Sequence, residues 1–217
     1  MARNSYAVFG MGSFGSKLAL ALTRQGNTVL ICDSNPQRVN ELRDKVTEAV
    51  IGDVSNEDVV KELNVSKFDA VILSMSGYFE DQVLALTLLK QEGAKKVVVK
   101  SNSTIQERIL YRLGADEVIQ PELDVAERLS RRLSLSNITD IFEFRGSAIA
   151  DVLVPSHLCG KPLRELDLRN KYNITVLLVC KSGANECSVG PDTVLAPGDQ
   201  LTVFGGEKAI IELFKER

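Results

Sequence analysis

Tyr6-Ala7-Val8-Phe9-Gly10-Met11-Gly12-Ser13-Phe14-Gly15 is the stretch that decides the fold, and Thr28-Val29-Leu30-Ile31-Cys32-Asp33 completes its meaning. A short apolar run leads into three glycines spaced GxGxxG. An amphipathic run from Lys17 to Arg24 follows, then a second apolar run that ends on an acid. The glycine spacing by itself is a weak signal. Strand, glycine turn, helix, strand and acid together form a nucleotide-binding unit. Gly10 permits the tight turn after the first strand. Gly12 removes a side chain where a phosphate approaches the backbone, and Gly15 lets the helix lie close to the sheet. Met11, Ser13 and Phe14 complete the turn, and the helix start offers N–H groups and a positive dipole end to phosphates. Asp33, followed by Ser34, is placed to accept hydrogen bonds from both ribose hydroxyls and to repel a 2′-phosphate, which disfavours NADP.

Beyond Asp33 the alternation continues. Asn35-Pro36 predicts a helix start with Pro36 at the first helical position, and Val39 and Leu42 mark its buried side. Residues 48–51 read as a third strand, ended by Gly52-Asp53. Ser55-Asn56-Glu57-Asp58 resembles a capping box before a short helix to Leu63. Residues 70–73 and 96–100 read as strands, separated by a helix over 79–91 with Val83, Leu84, Leu86, Leu88 and Leu89 as its apolar content. A helix over 104–113 is closed by Gly114, a left-handed cap. Residues 117–120 read as a sixth strand, and 122–135 as one more helix. Apolar strands alternating with helices predict a parallel sheet covered on both faces. The predicted class is α/β: a Rossmann-like, doubly wound parallel sheet over residues 1–135. Such sheets bind ligands outside the carboxyl ends of their strands, at the switch in strand order.

The pattern changes at residue 136. Residues 138–144 alternate like an antiparallel strand, and 151–155, 175–181, 186–189 and 201–204 read as further strands. Ser182-Gly183-Ala184-Asn185 is a hairpin signal, Pro197-Gly198-Asp199-Gln200 a turn, and 207–215 a closing helix. Residues 136–217 therefore read as a small α+β lobe. The chain lacks a Pro/Gly/Ser-rich linker at the junction, so the helix over 122–135 is expected to bridge the two parts.

The composition is that of an ordinary globular protein, 44% apolar and 25% charged, with a net charge of −3 and no basic stripe. That argues against a nucleic acid polymer as partner. No apolar run reaches the length of a membrane helix, and the first residues lack a signal peptide's apolar core, so a cytoplasmic location is expected. The four cysteines, Cys32, Cys159, Cys180 and Cys187, lack CxxC spacing and read as buried or half-buried apolar residues. The single histidine, His157, has no patterned orienting partner.

Other residues at predicted strand ends carry two readings each. Asp53, with Gly52 and Val54, either hydrogen-bonds an adenine edge or serves the turn. Ser74, Met75 and Ser76 either let phosphates approach, with a serine hydroxyl as donor, or form a plain small-residue loop. Lys100 either holds a phosphate or carboxylate or is solvated. Glu122, after Pro121, is either a helix-start acid or a carboxylate ligand for a divalent cation bound with phosphates. A nicotinamide-dependent oxidoreductase remains the alternative function, but the second part offers no acid/base and anchoring cation constellation for a substrate. A redox-sensing transcription factor needs a DNA-binding helix pair, which the sequence does not show.

These residues resemble a known family. The Gly10–Gly15 motif, Asp33, Gly52-Asp53, and the run from Leu113-Gly114-Ala115-Asp116 to Gln120-Pro121-Glu122 are similar to the amino-terminal lobe of RCK (regulator of potassium conductance) proteins. Gly160-Lys161-Pro162-Leu163 with Leu166, Leu168-Arg169-Asn170-Lys171-Tyr172, and Pro197-Gly198-Asp199-Gln200-Leu201 resemble the carboxyl-terminal lobe. The resemblance covers the whole chain and is to the Ktr-type subunits of the Ktr and Trk potassium-uptake systems. It implies a non-enzymatic subunit whose dimers assemble into a ring, commonly octameric, on the inner face of the membrane under a potassium channel. It further implies ATP, ADP or NAD(H) in the first lobe, a divalent cation (Mg or Ca) linked to Glu122, and cyclic di-AMP at Leu168, Arg169 and Ile174. Many Ktr-type members carry arginine where this chain has Ser13, which lacks the charge for a terminal phosphate and raises NAD(H) or AMP relative to ATP. Asn173 replaces a common glycine and tolerates the left-handed conformation that the turn requires.

Overall fold

The computed structural model describes residues 3–75, 77, 79–135, 137–183 and 187–215. The chain divides into two compact units, Met1–Glu122 and Leu123–Arg217.

In the first unit, β1 (Ser5–Phe9), α1 (Ser13–Arg24), β2 (Thr28–Asp33), α2 (Pro36–Asn40), β3 (Glu48–Ile51) and α3 (Glu57–Leu63) form one half. Strand β4 (Ala70–Leu73), α4 (Phe79–Gln91), β5 (Val97–Lys100), α5 (Thr104–Arg112) and β6 (Glu117–Ile119) form the other. The six strands lie in the order β3-β2-β1-β4-β5-β6 and pair in parallel throughout. This is the expected doubly wound sheet, and its switch in strand order falls between β1 and β4. Successive β1 side chains serve opposite layers. Ala7 and Phe9 join Val71, Leu73, Leu86 and Leu89 on one face. Val8 joins Ile31, Ile72 and Ala19 on the other. Burial on both faces is why the inner strands are apolar along most of their length.

Three local expectations change. The cap of α3 is Asn56, whose side chain accepts the Asp58 N–H, while the Ser55 N–H and hydroxyl both turn to Asp53 Oδ1. The buried stripe of α4 is Gln82, Ala85, Leu86 and Leu89, with Leu84 exposed. The next helix, α6, runs over Pro121–Ser134, so Pro121 opens it and the unit boundary falls one residue later. The caps at Asn35 and Gly114 follow the sequence: Asn35 Oδ1 accepts the Gln37 N–H, and Gly114 has φ +98°.

The second unit carries β7 (Ile138–Phe144), β8 (Ser147–Leu153), α7 (Leu163–Leu166), α8 (Leu168–Tyr172), β9 (Thr175–Cys180), β10 (Cys187–Ser188), β11 (Gln200–Gly206) and α9 (Glu207–Phe214). Its antiparallel sheet has the order β10-β9-β11-β8-β7. Helix α9 buries Ile210, Leu213 and Phe214 with sheet residues such as Ala150, Val152 and Val203. Strand β8 begins earlier than its apolar pattern suggested. It pairs with β7 across Arg145 and Gly146, both at positive φ. Helices α7 and α8 are too short to show a period in the sequence. Residues 184 and 185 of the expected hairpin signal, and residue 186 of the strand expected after it, lie outside the described residues. Cys180 is disulfide-bonded, a correction to its reading as an apolar residue; its backbone lies in register with that of Cys187.

Candidate nucleotide site

A cavity of about 410 Å³ lies at the carboxyl ends of the first four strands. Nine of the residues singled out in the sequence line it: Gly10, Gly12, Asp33, Ser34, Gly52, Asp53, Val54, Ser74 and Met75. The glycine turn is built by close approach. Gly10 has φ +91°, and a Cβ there would lie 2.9 Å from the Met75 nitrogen. A Cβ on Gly15 would lie 2.1 Å from the Gly10 carbonyl oxygen. Helix α1 then starts at Gly12 with neither a side-chain cap nor an acid in its first turn. Its positive end therefore carries no anion from its own first turn.

Asp33 is 7% exposed and already organises the turn. Its Oδ2 accepts the Met11 N–H at 2.5 Å and its Oδ1 accepts the Asn35 N–H at 2.8 Å. One carboxylate thus ties β2 to both the glycine turn and the start of α2. Each oxygen retains a lone pair for a further donor. Arg38 stands 3.7 Å from Asp33 Oδ2, with its side chain half exposed and lining the cavity. The Cys32 thiol also lines it. Burial, then the charges of Asp33 and Asp53, push that thiol up to about 12, so it stays protonated and unreactive. Ser74 is 2% exposed, and its Oγ is a buried oxygen without a hydrogen-bond partner among the described residues. Native structures rarely leave such a group unsatisfied, and one that lines a cavity is poised for a ligand.

The remaining predicted residues separate. Met11 acts through its N–H and is buried; Ser13 is exposed and Phe14 half-buried, and neither lines the cavity. Gly15 is buried against the turn. Ser76 lies outside the described residues. Lys100 and Glu122 come together, but with each other: Nζ to Oε1 is 2.6 Å, and neither lines the cavity. Lys100 is buried rather than solvated. The Lys100 hydrogen bond holds the Glu122 carboxyl below its usual range. Among the described residues, no group of three or more His, Cys, Asp or Glu side chains is arranged for a metal ion. Glu122, the acid expected to be linked to a divalent cation, has a cationic partner in Lys100.

Gly77, which follows Ser76 in the small-residue run at the fourth strand's end, lines the cavity as well; sequence reasoning missed Arg38 and Asp81, which also line it. Arg38 had a usable signal, a cation on the helix that Asn35 caps directly after the acid. In the second unit, a cavity of about 450 Å³ brings Leu168, Arg169 and Ile174 together, with Leu163, Asp167 and Pro191 among its other lining residues. Asn173 beside it has φ 55°, the left-handed conformation expected of it.

Comparison with known proteins places this geometry. The TrkA-N domain family matches residues 6–121, and the TrkA-C domain family matches residues 148–216. The chain is 32% identical to Ktr system potassium uptake protein C of Bacillus subtilis, over 94% of this chain and 92% of that protein. It is 30% identical to Ktr system potassium uptake protein A of Vibrio alginolyticus, over 95% of this chain and 90% of that one. Among solved structures, the GsuK RCK domain shares its fold with a TM-score of 0.66 at 18% identity, covering 99% of this chain and 48% of that chain. A GsuK channel bound to NAD gives 0.65 at 18% identity, over 98% and 39%. The chain spans less than half of either GsuK chain. A TrkA-N domain followed by a TrkA-C domain, with Ktr proteins similar over nearly their whole length, makes this chain a member of the RCK-domain family of Ktr and Trk potassium-uptake proteins.

Proposed function

We propose that this chain is a regulatory, non-enzymatic subunit of a potassium-uptake system, and that it binds an adenine nucleotide in the cavity of its first unit. One observation carries the nucleotide reading: Gly12 at the capless start of α1, Ser74 with its orphaned buried hydroxyl, and Asp33 line one cavity. The helix start and Ser74 suit phosphates, and Asp33 suits ribose hydroxyls. Arg38 and Asp53 sit on the side where an adenine ring would lie. The Ktr relatives support the potassium role, and the NAD bound to a GsuK channel supports an adenosine-containing ligand. With Ser13 in place of a cation, the phosphate end offers no side-chain charge of its own, which favours NAD(H), ADP or AMP over ATP.

The second-unit cavity, with Arg169 beside apolar Leu168 and Ile174, suits cyclic di-AMP, whose purine rings and phosphodiesters require that combination. The partner is a membrane channel or transporter subunit. No described helix is long and apolar enough to cross a membrane. Assembly of homodimers into a ring, octameric in the Ktr pattern, is supported by apolar side chains left open on helices: Ile105 on α5 is 72% exposed and Leu133 on α6 is 76% exposed. A nucleotide gates such a ring only by binding one of its shapes better than another.

The test combines calorimetry of NADH, ADP, AMP, ATP and cyclic di-AMP with light scattering of the purified protein. Micromolar binding of at least one adenine nucleotide, weakened in Ser74→Ala, supports the site. Absence of all binding, a strict monomer, or turnover of a reduced nicotinamide with carbonyl substrates overturns the reading.

A further inference from the structure

We propose that Asp81 selects among adenine nucleotides by what they carry beyond the second phosphate: it admits a ribose there and rejects a phosphate, so the first-unit cavity takes a dinucleotide of the NAD(H) kind. The inference rests on the reading of that cavity as a nucleotide site and goes one step further along the ligand. Strand order places the ligand's parts. Asp53 follows β3, Asp33 ends β2, Gly10 and Gly12 follow β1, and Ser74 follows β4, all lining one cavity. The order β3-β2-β1-β4 makes this a run of three strand spacings, about 14 Å. With the adenosine ribose at Asp33 and the phosphates at the glycine turn, the next group of the ligand lies past β4. Asp81, on the helix that follows β4, lines the cavity there. Its position is fixed through its neighbour. Gln82, 5% exposed, donates its Nε2 hydrogens to the Lys100 carbonyl at 2.7 Å and to the Met75 carbonyl at 3.4 Å. That amide ties the first turn of α4 to the end of β4.

Asp81 shares the first turn of α4 with Glu80, but Glu80 is exposed and Asp81 half-buried. Glu80 alone supplies the acid that a helix start favours. Asp81 makes no hydrogen bond or ion pair among the described residues, so its oxygens are open to a ligand. A carboxylate accepts hydrogen bonds and cannot donate them. It therefore suits ribose hydroxyls, as Asp33 does at the other ribose, and repels a phosphate. Charge around the cavity strengthens the repulsion. Among the described lining residues, Asp33, Asp53 and Asp81 face one cation, Arg38, which stands beside Asp33. Lys100 on β5 does not line the cavity and is paired with Glu122. No described cation thus offsets an extra phosphate at the Asp81 end. The unpartnered Ser74 hydroxyl, 2% exposed, marks the strand end where the last tolerated phosphate is held. An unpaired charge set against the wrong ligand is specificity by rejection.

ADP-ribose and ATP share adenosine diphosphate and differ only in the group beyond it, a ribose or a phosphate. Calorimetry of both ligands in EDTA tests the proposal in wild type, Asp81→Asn and Glu80→Gln. Each protein supplies its own ratio of the two dissociation constants, so a general loss of affinity in a variant cancels. We expect ATP to bind wild type at least about tenfold more weakly than ADP-ribose, a step of about 1.4 kcal/mol. The ratio should fall at least about fivefold in Asp81→Asn, with ATP tighter and ADP-ribose weaker, and stay within about twofold of wild type in Glu80→Gln. Equal binding of the two ligands by wild type, a smaller fall in Asp81→Asn, or an equal fall in Glu80→Gln overturns the proposal while the nucleotide pocket stands. Failure of both ligands to bind wild type overturns the pocket reading, and this inference with it.

Discussion

Replacing Asp33 by alanine should damage the fold as well as the ligand site, and the size of the damage follows from its hydrogen bonds. The buried carboxylate accepts the Met11 N–H at 2.5 Å and the Asn35 N–H at 2.8 Å. Hydrogen bonds to a charged group contribute about 1.5–3 kcal/mol each. Two of them suggest about 3–6 kcal/mol. Removing a 7% exposed charge also relieves its desolvation, which brings the net loss to about 2–4 kcal/mol. Native-state hydrogen exchange reads this locally: the amides of Met11 and Asn35 in Asp33→Ala should exchange about 30- to 1,000-fold faster than in wild type, at tenfold per 1.4 kcal/mol. Asp33→Asn keeps one acceptor and should fall between. Exchange within about threefold of wild type at both amides would refute the claim that Asp33 organises the turn, and its loss of ligand affinity would then report ribose contact only.

Ser74→Ala should leave the melting temperature unchanged or slightly raised, because its Oγ has no partner to lose, while weakening ADP or NADH about 5- to 30-fold by calorimetry. Gly15→Ala should destabilise the first unit by at least about 2 kcal/mol in urea denaturation, since its Cβ would fall 2.1 Å from the Gly10 carbonyl oxygen, a backbone atom that cannot rotate away. In the second unit, burial acts to raise the Asp199 carboxyl, but hydrogen bonds from Lys181 and from the Ala196 and Ser182 amides outweigh it and hold the group low. A carboxyl lowered in the folded state stabilises above its unfolded pKa. That contribution is therefore present at neutral pH and lost as pH falls from about 4 through the lowered folded value. Acid unfolding of Asp199→Asn, followed by circular dichroism, should start from a lower stability and show a shallower dependence on pH below about 4 than wild type.

The first unit was legible because its inner strands, β1, β2, β4 and β5, are buried on both faces, so their apolar runs have no competing explanation. Val8 and Phe9 pack on opposite layers and are both fully buried. The second unit was less legible for the converse reason. Its sheet buries one face, and in β7 Phe142 and Phe144 are exposed while Ile141 is inside, so hydrophobicity and burial part company. The β7–β8 connection turns on Arg145 in a left-handed conformation, a residue without turn preference, and Gly146 was its sole sequence mark. At the site, the glycines and Asp33 were readable because their spacing is fixed by backbone geometry. The Lys100–Glu122 pair was not, because a strand-end lysine and a helix-start acid 22 apart in sequence carry no periodic signal for their contact. Each was noted separately as a ligand for something else.

Helix α8 lies between two left-handed residues, Asp167 at φ 50° and Asn173 at φ 55°, neither of them glycine. Asp167 lines the second cavity and Asn173 directly precedes Ile174, which also lines it. Asp and Asn are the non-glycine residues that enter that basin most readily, because their short polar side chains can hydrogen-bond locally, and the surrounding structure holds these two in it. The rim of the cavity is therefore set before any guest arrives. A guest there would order little backbone, so its binding should carry a small entropic penalty and a fast, single-step association. Loosening either torsion, as Asn173→Gly would, should slow capture without removing one contact atom.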